Sequence, residues 1–159
     1  MAQMNLEPPK ALIIHCSDPR FQRAFREFKS KELGLEEGQY IPLIVPGSVA
    51  SMCLGTFLPK NLKIMREQIE LLLEHYHDPS ERIILINHEE CRSYGVMVAR
   101  LQHVLTSDVG AKQMDDLEFA AGLIRQIATR YGAHPKIEMY MARVRKEDGE
   151  IFFERLGAG

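Results

Sequence analysis

Two uninterrupted apolar runs, each followed within five residues by a cysteine, constrain this chain most strongly. The first run, residues 11–14, is followed by Cys16, Asp18 and Arg20. The second run, residues 83–86, is followed by His88 and Cys91. Short runs without polar interruption are typical of strands that are buried on both faces of a parallel sheet. The two strand ends therefore predict one site that combines two thiols, an imidazole and an acid–base pair.

The pattern of apolar residues predicts strands that alternate with helices. Strands are expected over residues 10–16, 39–45, 82–87, 136–144 and 150–154, and helices over 20–33, 62–76, 97–104 and 114–131. Such alternation favours an α/β fold with a mostly parallel sheet and helices on both faces. We expect the strand order 2-1-3-4-5, with the last strand antiparallel after a turn at Glu147-Asp148-Gly149. Pro42 places the second strand at an edge, because proline cannot donate to a ladder.

The proposed strand order brings the two chemical segments together. Strands one and three are neighbours in it, and ligands in open parallel sheets bind beyond the carboxyl ends of the strands at such a point. Residues 10–159 are predicted to form a single domain, preceded by a flexible arm over residues 1–9. A long loop is expected over residues 46–59.

Composition excludes several classes of function. The chain has 159 residues and a formal net charge of −2, so we expect no nucleic acid and no anionic membrane as partner. No apolar run is long enough to span a bilayer, and the first nine residues lack a signal-peptide core, which predicts a cytoplasmic protein. Three cysteines in a reducing compartment indicate free thiols or metal ligands.

The donor set at the strand ends favours zinc. Cys16, His88 and Cys91 would supply two thiolates and one imidazole, a soft three-ligand set that suits Zn²⁺ in tetrahedral geometry. The fourth position can hold a water, or it can be closed by Asp18. Arg20 can hold the Asp18 carboxylate in a bidentate pair, so that releasing Asp18 onto the metal would shut the site. Asp18 and Arg20 are therefore the candidate catalytic residues, and Asp18 is also a candidate fourth metal ligand.

These residues resemble the β-class carbonic anhydrase family. That family has Cys-x-Asp-x-Arg after its first strand and His-x-x-Cys after its third, and this chain has Cys16-Ser17-Asp18-Pro19-Arg20 and His88-Glu89-Glu90-Cys91. The resemblance implies that Cys16, His88 and Cys91 bind zinc and that Asp18 and Arg20 form a gating dyad. It also implies that zinc-bound hydroxide hydrates carbon dioxide reversibly to bicarbonate, and that the protein is a homodimer or a larger homo-oligomer.

The chain departs from the family pattern beside the metal ligands. Arg92 and Ser93 stand where the family has two glycines, and residues 45–49 read Val-Pro-Gly-Ser-Val in place of an Arg-Asn-Ala-Gly-type segment. Two alternatives therefore stay open. The charge-poor stretch 45–54 would suit a hydrolase of carbonyl sulfide on the same zinc site. A site closed by Asp18 would instead make the chain a catalytically silent zinc-binding protein.

Several residues near the motifs have structural interpretations. Asp18 is a good helix N-cap residue in front of a helix that would begin near Pro19. His15 points away from Cys16 along a strand and is predicted to be structural, and Cys53 is predicted to serve in packing. Ser48 and Tyr94 are possible donors to the pocket.

Overall fold

A five-stranded sheet forms the middle layer of the protein in a computed structural model that describes residues 5–55, 59–75, 82–100 and 108–157. The strands are β1 (Ala11–Cys16), β2 (Tyr40–Val45), β3 (Arg82–His88), β4 (Lys136–Val144) and β5 (Ile151–Leu156). Their order is β2-β1-β3-β4-β5, with every neighbouring pair parallel except β4 and β5. The predicted fold class, strand order and antiparallel last strand are confirmed.

Helices cover both faces of the sheet, as predicted. They are α1 (Gln22–Lys31), α2 (Ala50–Cys53), α3 (Pro59–His75), α4 (Arg92–Arg100) and α5 (Val109–Arg130). On one face α1 packs Phe25 and Phe28 against the sheet. On the other face α2, α3 and α5 cover it with a larger apolar cluster.

The two central strands explain why the layers hold together. All six residues of β1 are buried, and so are residues 83–88 of β3. Successive side chains of a strand point to opposite faces. Ile14 and Leu85 therefore join the cluster on the α5 side, whereas Ile13 and Ile86 join the cluster on the α1 side. Burial of one such side chain is worth about 1.5–3 kcal/mol, so both layers depend on these two strands.

Two local predictions were wrong. The first helix begins at Gln22 and not near Pro19, because Asp18 turns the chain by accepting the backbone N–H of Arg20 and does not cap the helix. The predicted loop over residues 46–59 contains the short helix α2, and Pro59 is already the first residue of α3.

The other predictions agree with the described residues, differ from them at a helix boundary, or fall outside them. The second strand lies at an edge, as Pro42 indicated. The α5 helix starts five residues before the predicted 114, at an N-cap that the sequence analysis missed, where Asp108 accepts the N–H groups of Gly110 and Ala111. Residues 1–4, 76 and 101–104 of the predicted elements lie outside the described part, and the flexible arm stays a prediction. Over the described ranges, no helix is long and apolar enough to cross a membrane.

Candidate metal centre

Three ligand atoms meet where β1 and β3 end. Cys16 is the last residue of β1, His88 is the last residue of β3, and Cys91 follows three residues later. The strands are hydrogen-bonded neighbours with His15 opposite Ile86, so their carboxyl ends lie side by side. One donor atom from each of Cys16, His88 and Cys91 falls within 4.8 Å of the others, and all three residues are buried. The predicted metal-ligating set is therefore assembled by the fold.

The spacing of the two sulfurs fits a tetrahedral metal. The Sγ atoms of Cys16 and Cys91 are 3.7 Å apart. Zinc at about 2.3 Å from each sulfur with a tetrahedral angle requires a separation of about 3.8 Å. A disulfide would require about 2.05 Å, so this arrangement matches metal ligands and not a covalent bridge. The two thiols are free in the structure.

The His88 ring is oriented with one nitrogen available as a ligand. Its Nδ1 lies 2.8 Å from the carbonyl oxygen of Glu89, which can only accept, so Nδ1 carries the proton. The other nitrogen, Nε2, is buried and has no hydrogen-bond partner among the described residues. A buried lone pair of this kind is costly unless a ligand occupies it. A carbonyl that fixes the tautomer of a histidine is the usual support of a metal-binding imidazole.

The partner thiol and a backbone N–H group stabilise negative charge on the Cys16 sulfur. The Gly47 N–H donates to Cys16 Sγ at 3.3 Å. The hydrogen bond from Cys91 lowers the pKa of Cys16 to about 4, and the N–H of Gly47 adds to this effect against that of burial. The hydrogen bond with Cys16 and burial raise the pKa of Cys91. One proton of the pair therefore leaves easily, and the second is held until a cation compensates the added charge.

The turn after β2 brings that N–H to the sulfur in a strained conformation. Gly47 has φ +77° and Ser48 has φ +51°. A Cβ on Gly47 would lie 2.6 Å from Met97 Cε and 3.3 Å from Ala50 Cβ. The Ser48 hydroxyl is buried, and within the described ranges it has no partner. Left-handed non-glycine residues concentrate at functional sites, which agrees with a role for this turn in shaping the pocket.

The predicted Asp18–Arg20 pair is present as a bidentate contact. Arg20 donates from Nη2 to Asp18 Oδ2 at 2.7 Å and from Nε to Oδ1 at 3.1 Å. The same Nη2 donates to the carbonyl of Glu90 at 2.8 Å, which ties the pair to the segment that carries Cys91. The hydrogen bonds from Arg20 lower the pKa of Asp18 to about 2. The carboxylate is not among the three clustered donors, so its predicted role as a metal ligand stays a prediction.

A buried polar network, which the sequence analysis missed, supports the end of β3 from the α5 side. Gln113 Nε2 donates to the carbonyl of His88 at 2.8 Å, and Asn87 Nδ2 donates to the carbonyl of Gln113 at 2.9 Å. Asn87 also donates to the Tyr94 hydroxyl at 3.2 Å, which donates to Asp116 Oδ2 at 3.1 Å. Tyr94 is therefore a structural anchor and not the pocket donor considered from the sequence. The pair Lys112–Asp116 was the only feature of the sequence that could have indicated this network, and its i,i+4 spacing is equally typical of an exposed helix face.

The remaining candidates lie beside the site with structural contacts. His15 is buried, its Nδ1 lies 3.0 Å from the carbonyl of Cys16, and its ring packs on Phe25. Cys53 donates to the backbone carbonyl of Asp116. Glu89 pairs with Arg143 at 3.0 Å. These contacts agree with the structural roles predicted for His15 and Cys53.

Comparison with known proteins found similarity among solved structures alone. No protein-family model matches the chain, and no curated protein matches it. A β-carbonic anhydrase isoform I from Trichomonas vaginalis is similar at 14% identity and a TM-score of 0.49, over 96% of this chain and 86% of that one. A structure from a report on two tetrameric β-carbonic anhydrases of Sordaria macrospora is similar at 14% identity and a TM-score of 0.47, over 96% of this chain and 82% of that one.

Proposed function

We propose that this protein is a zinc-dependent enzyme that hydrates carbon dioxide reversibly to bicarbonate. The observation that carries the proposal is the buried group of Cys16, His88 and Cys91, with the sulfurs 3.7 Å apart and an unpartnered imidazole nitrogen. Three protein donors leave a fourth position of a tetrahedral ion open, which is the arrangement of catalytic zinc sites.

The residues of the chain would divide the work as follows. Cys16, His88 and Cys91 would hold the ion, and zinc in that position supplies a Lewis acid that lowers the pKa of a coordinated water toward neutrality. Arg20 holds the Asp18 carboxylate by both oxygens, which keeps it from closing the fourth position. Asp18 is ionised at physiological pH, as aspartates are, and Arg20 lowers its pKa further, to about 2, so the carboxylate can accept a hydrogen bond from a group in the site.

The apolar side of the site suits a small uncharged substrate. Phe21 packs its ring 4.1 Å from that of His88, measured between centroids. Ala50 and Tyr94 form a small buried cluster with the two thiols. Walls of this kind exclude water and carry no charge. They would also accept carbonyl sulfide, which remains the second candidate substrate.

The test is stopped-flow hydration of carbon dioxide by protein whose zinc content has been measured. We expect turnover that scales with bound zinc and disappears together with zinc in Cys91→Ser. The control is Cys53→Ser, which replaces a thiol outside the donor group and should keep both. Full zinc without hydration of carbon dioxide, but with hydrolysis of carbonyl sulfide, would shift the assignment to the second substrate. Full zinc without either reaction would identify a catalytically silent zinc-binding protein.

We also propose that the protein assembles as a homodimer or a larger homo-oligomer. The support is the motif resemblance, and one similar structure comes from a report on enzymes described as tetrameric. Light scattering on the zinc-loaded protein tests this, and a mass of one chain at micromolar concentration would contradict it. The cytoplasmic location stays a prediction from the sequence.

A further inference from the structure

A buried lysine that the proposed reaction does not use lies on the inner face of α1. Lys29 is only 7% exposed. Its ammonium sits over the ring of Tyr40, 4.5 Å from the centroid. Among the described residues, no carboxylate oxygen lies within the 4.0 Å of an ion pair, and no acceptor is hydrogen-bonded to the ammonium.

The ammonium of Lys29 has no protein acceptor among the described residues, but Lys29 lines an open cleft, so water or an anion can reach the charge. Holding a lysine this far out of bulk water costs free energy. The face of Tyr40 offsets part of that cost, since a cation over an aromatic ring gains roughly 0.5–2 kcal/mol. The ring of Tyr40 does not accept hydrogen bonds from the three N–H groups of the ammonium as an oxygen atom would.

The lysine lines an open cleft between α1 and β2. The cleft has a volume of about 460 Å³, within the range of small-molecule sites. Its walls include Gln22, Arg26, Lys29, Tyr40, Pro42 and Ile44.

The charges along the cleft favour an anion. Arg26 contributes a second cation, and among the described residues that line the cleft Glu37 is the one that is acidic. The contact between Arg26 and Glu37 is long, at 3.9 Å, and both side chains are more than two-thirds exposed. An exposed pair of this kind is worth little, so the guanidinium can turn toward an incoming carboxylate. Two cations against one carboxylate leave one positive charge to be matched.

The opposite wall is apolar. Ile44 is 46% exposed, and Pro42 beside it on the edge strand has no backbone N–H to offer. A purely inorganic anion would leave this wall in contact with water. We propose that the cleft binds a small organic carboxylate, with its head group at Lys29 and Arg26 and its apolar part on Pro42 and Ile44.

The experiment is a titration of the zinc-loaded, ¹⁵N-labelled full chain with butyrate, followed by amide chemical shifts. We expect saturable shifts along α1 and β2, with butyrate binding more tightly than acetate. Butyramide has the same shape without the charge and should cause no such shifts. Lys29→Met should weaken butyrate binding at least about tenfold, because a hydrogen bond to a charged group is lost. Arg26→Ala should weaken it less.

The matched control is Arg23→Ala. Arg23 lies on the same helix, its side chain is 91% exposed, and it pairs with Glu27. We expect butyrate to bind this variant as tightly as it binds the unaltered protein. An effect of Arg23→Ala equal to that of Lys29→Met would mean that general helix charge, and not the cleft, attracts the anion.

Binding of the anion at the metal is separable from binding in the cleft. Butyrate at zinc would shift amides around His88 and Cys91, and those shifts would survive Lys29→Met. The cleft proposal is overturned if all shifts survive that substitution, if butyramide binds equally well, or if no saturable shifts occur along α1 and β2. These outcomes do not depend on whether carbon dioxide is hydrated, so the two proposals can fail independently.

Discussion

Replacing Tyr94 by phenylalanine tests the support behind the candidate metal ligands, because it removes one oxygen atom from a buried position. Tyr94 is 1% exposed. Its hydroxyl accepts from Asn87 at 3.2 Å and donates to Asp116 at 3.1 Å. The ring remains in place in the variant, so the lost free energy reports on these two hydrogen bonds. Asn87 is the neighbour of His88 in β3, and therefore the loss occurs next to a candidate metal ligand.

The size of the effect follows from what the partners keep. Asn87 retains its bond to the carbonyl of Gln113, and Asp116 retains its ion pair with Lys112. Each partner nevertheless loses one bond in a buried place that water does not readily reach. At about 1–1.5 kcal/mol for each bond, Tyr94→Phe should lower the free energy of unfolding by about 2–3 kcal/mol. For a chain of this length that corresponds to a fall in Tm of about 4–12 °C.

The assay is urea unfolding of the zinc-loaded protein, with Tyr131→Phe as the matched control. Tyr131 is 42% exposed, and no side-chain hydrogen bond joins it to the described residues, so its replacement should change stability by less than about 0.5 kcal/mol. Zinc affinity, measured by competition with a chelator, should fall about tenfold or more in Tyr94→Phe and should be unchanged in Tyr131→Phe. A Tyr94→Phe protein as stable as the control would refute the argument that this network stabilises the end of β3.

Three further substitutions test other parts of the structure. Gly47→Ala should destabilise the protein by about 2 kcal/mol, because φ is +77° and the new Cβ would contact Met97 Cε. Thermal unfolding measures this change, and an unchanged Tm would contradict the geometry of this turn. Glu138→Gln should cost about 2 kcal/mol at pH 7, less than a fully buried pair would, since its partner Arg82 is 29% exposed. Burial raises the pKa of Glu138, but the hydrogen bonds from Arg82 and Tyr140 outweigh burial and lower the pKa overall. The stability lost in Glu138→Gln should therefore shrink as pH falls below about 4.5, where Glu138 becomes protonated in the unaltered protein. A loss of stability that is independent of pH would disprove the pairing. Asp18→Ala should keep zinc, measured by metal analysis, and alter the pH–rate profile of hydration; loss of zinc would show that Asp18 is a metal ligand.

The architecture was predictable because the central strands are marked by local pattern. Residues 11–14 and 83–86 are apolar without interruption, and both lie in fully buried strands. Parallel neighbours align their carboxyl ends, so the strand order alone placed Cys16 near His88 and Cys91. Motif spacing then indicated the three clustered donors and the Asp18–Arg20 pair.

Local boundaries were harder to predict, because several conformations compete over a few residues. Pro19 is compatible with the first turn of a helix, but the carboxylate of Asp18 satisfies the N–H of Arg20 and holds a turn instead. The small residues after β2 look like a loop, yet Val49, Ala50 and Met52 are buried. Burial of those side chains stabilises the short helix α2, and single-residue propensities do not contain that information.

The sequence by itself determined the fold class, the strand order and the identity of the three clustered donor residues, because these depend on periodicity and on motifs whose residues lie close together along the chain. The tertiary structure alone decided which side chains support these residues and which ring lies against Lys29. Gln113 reaches His88 across 25 positions, and Asp116 reaches Tyr94 across 22. In the sequence, Lys29 is one more charged residue of an amphipathic helix, and only the fold shows that its ammonium lies over the ring of Tyr40. Contacts between distant positions arise from packing, which no local pattern records.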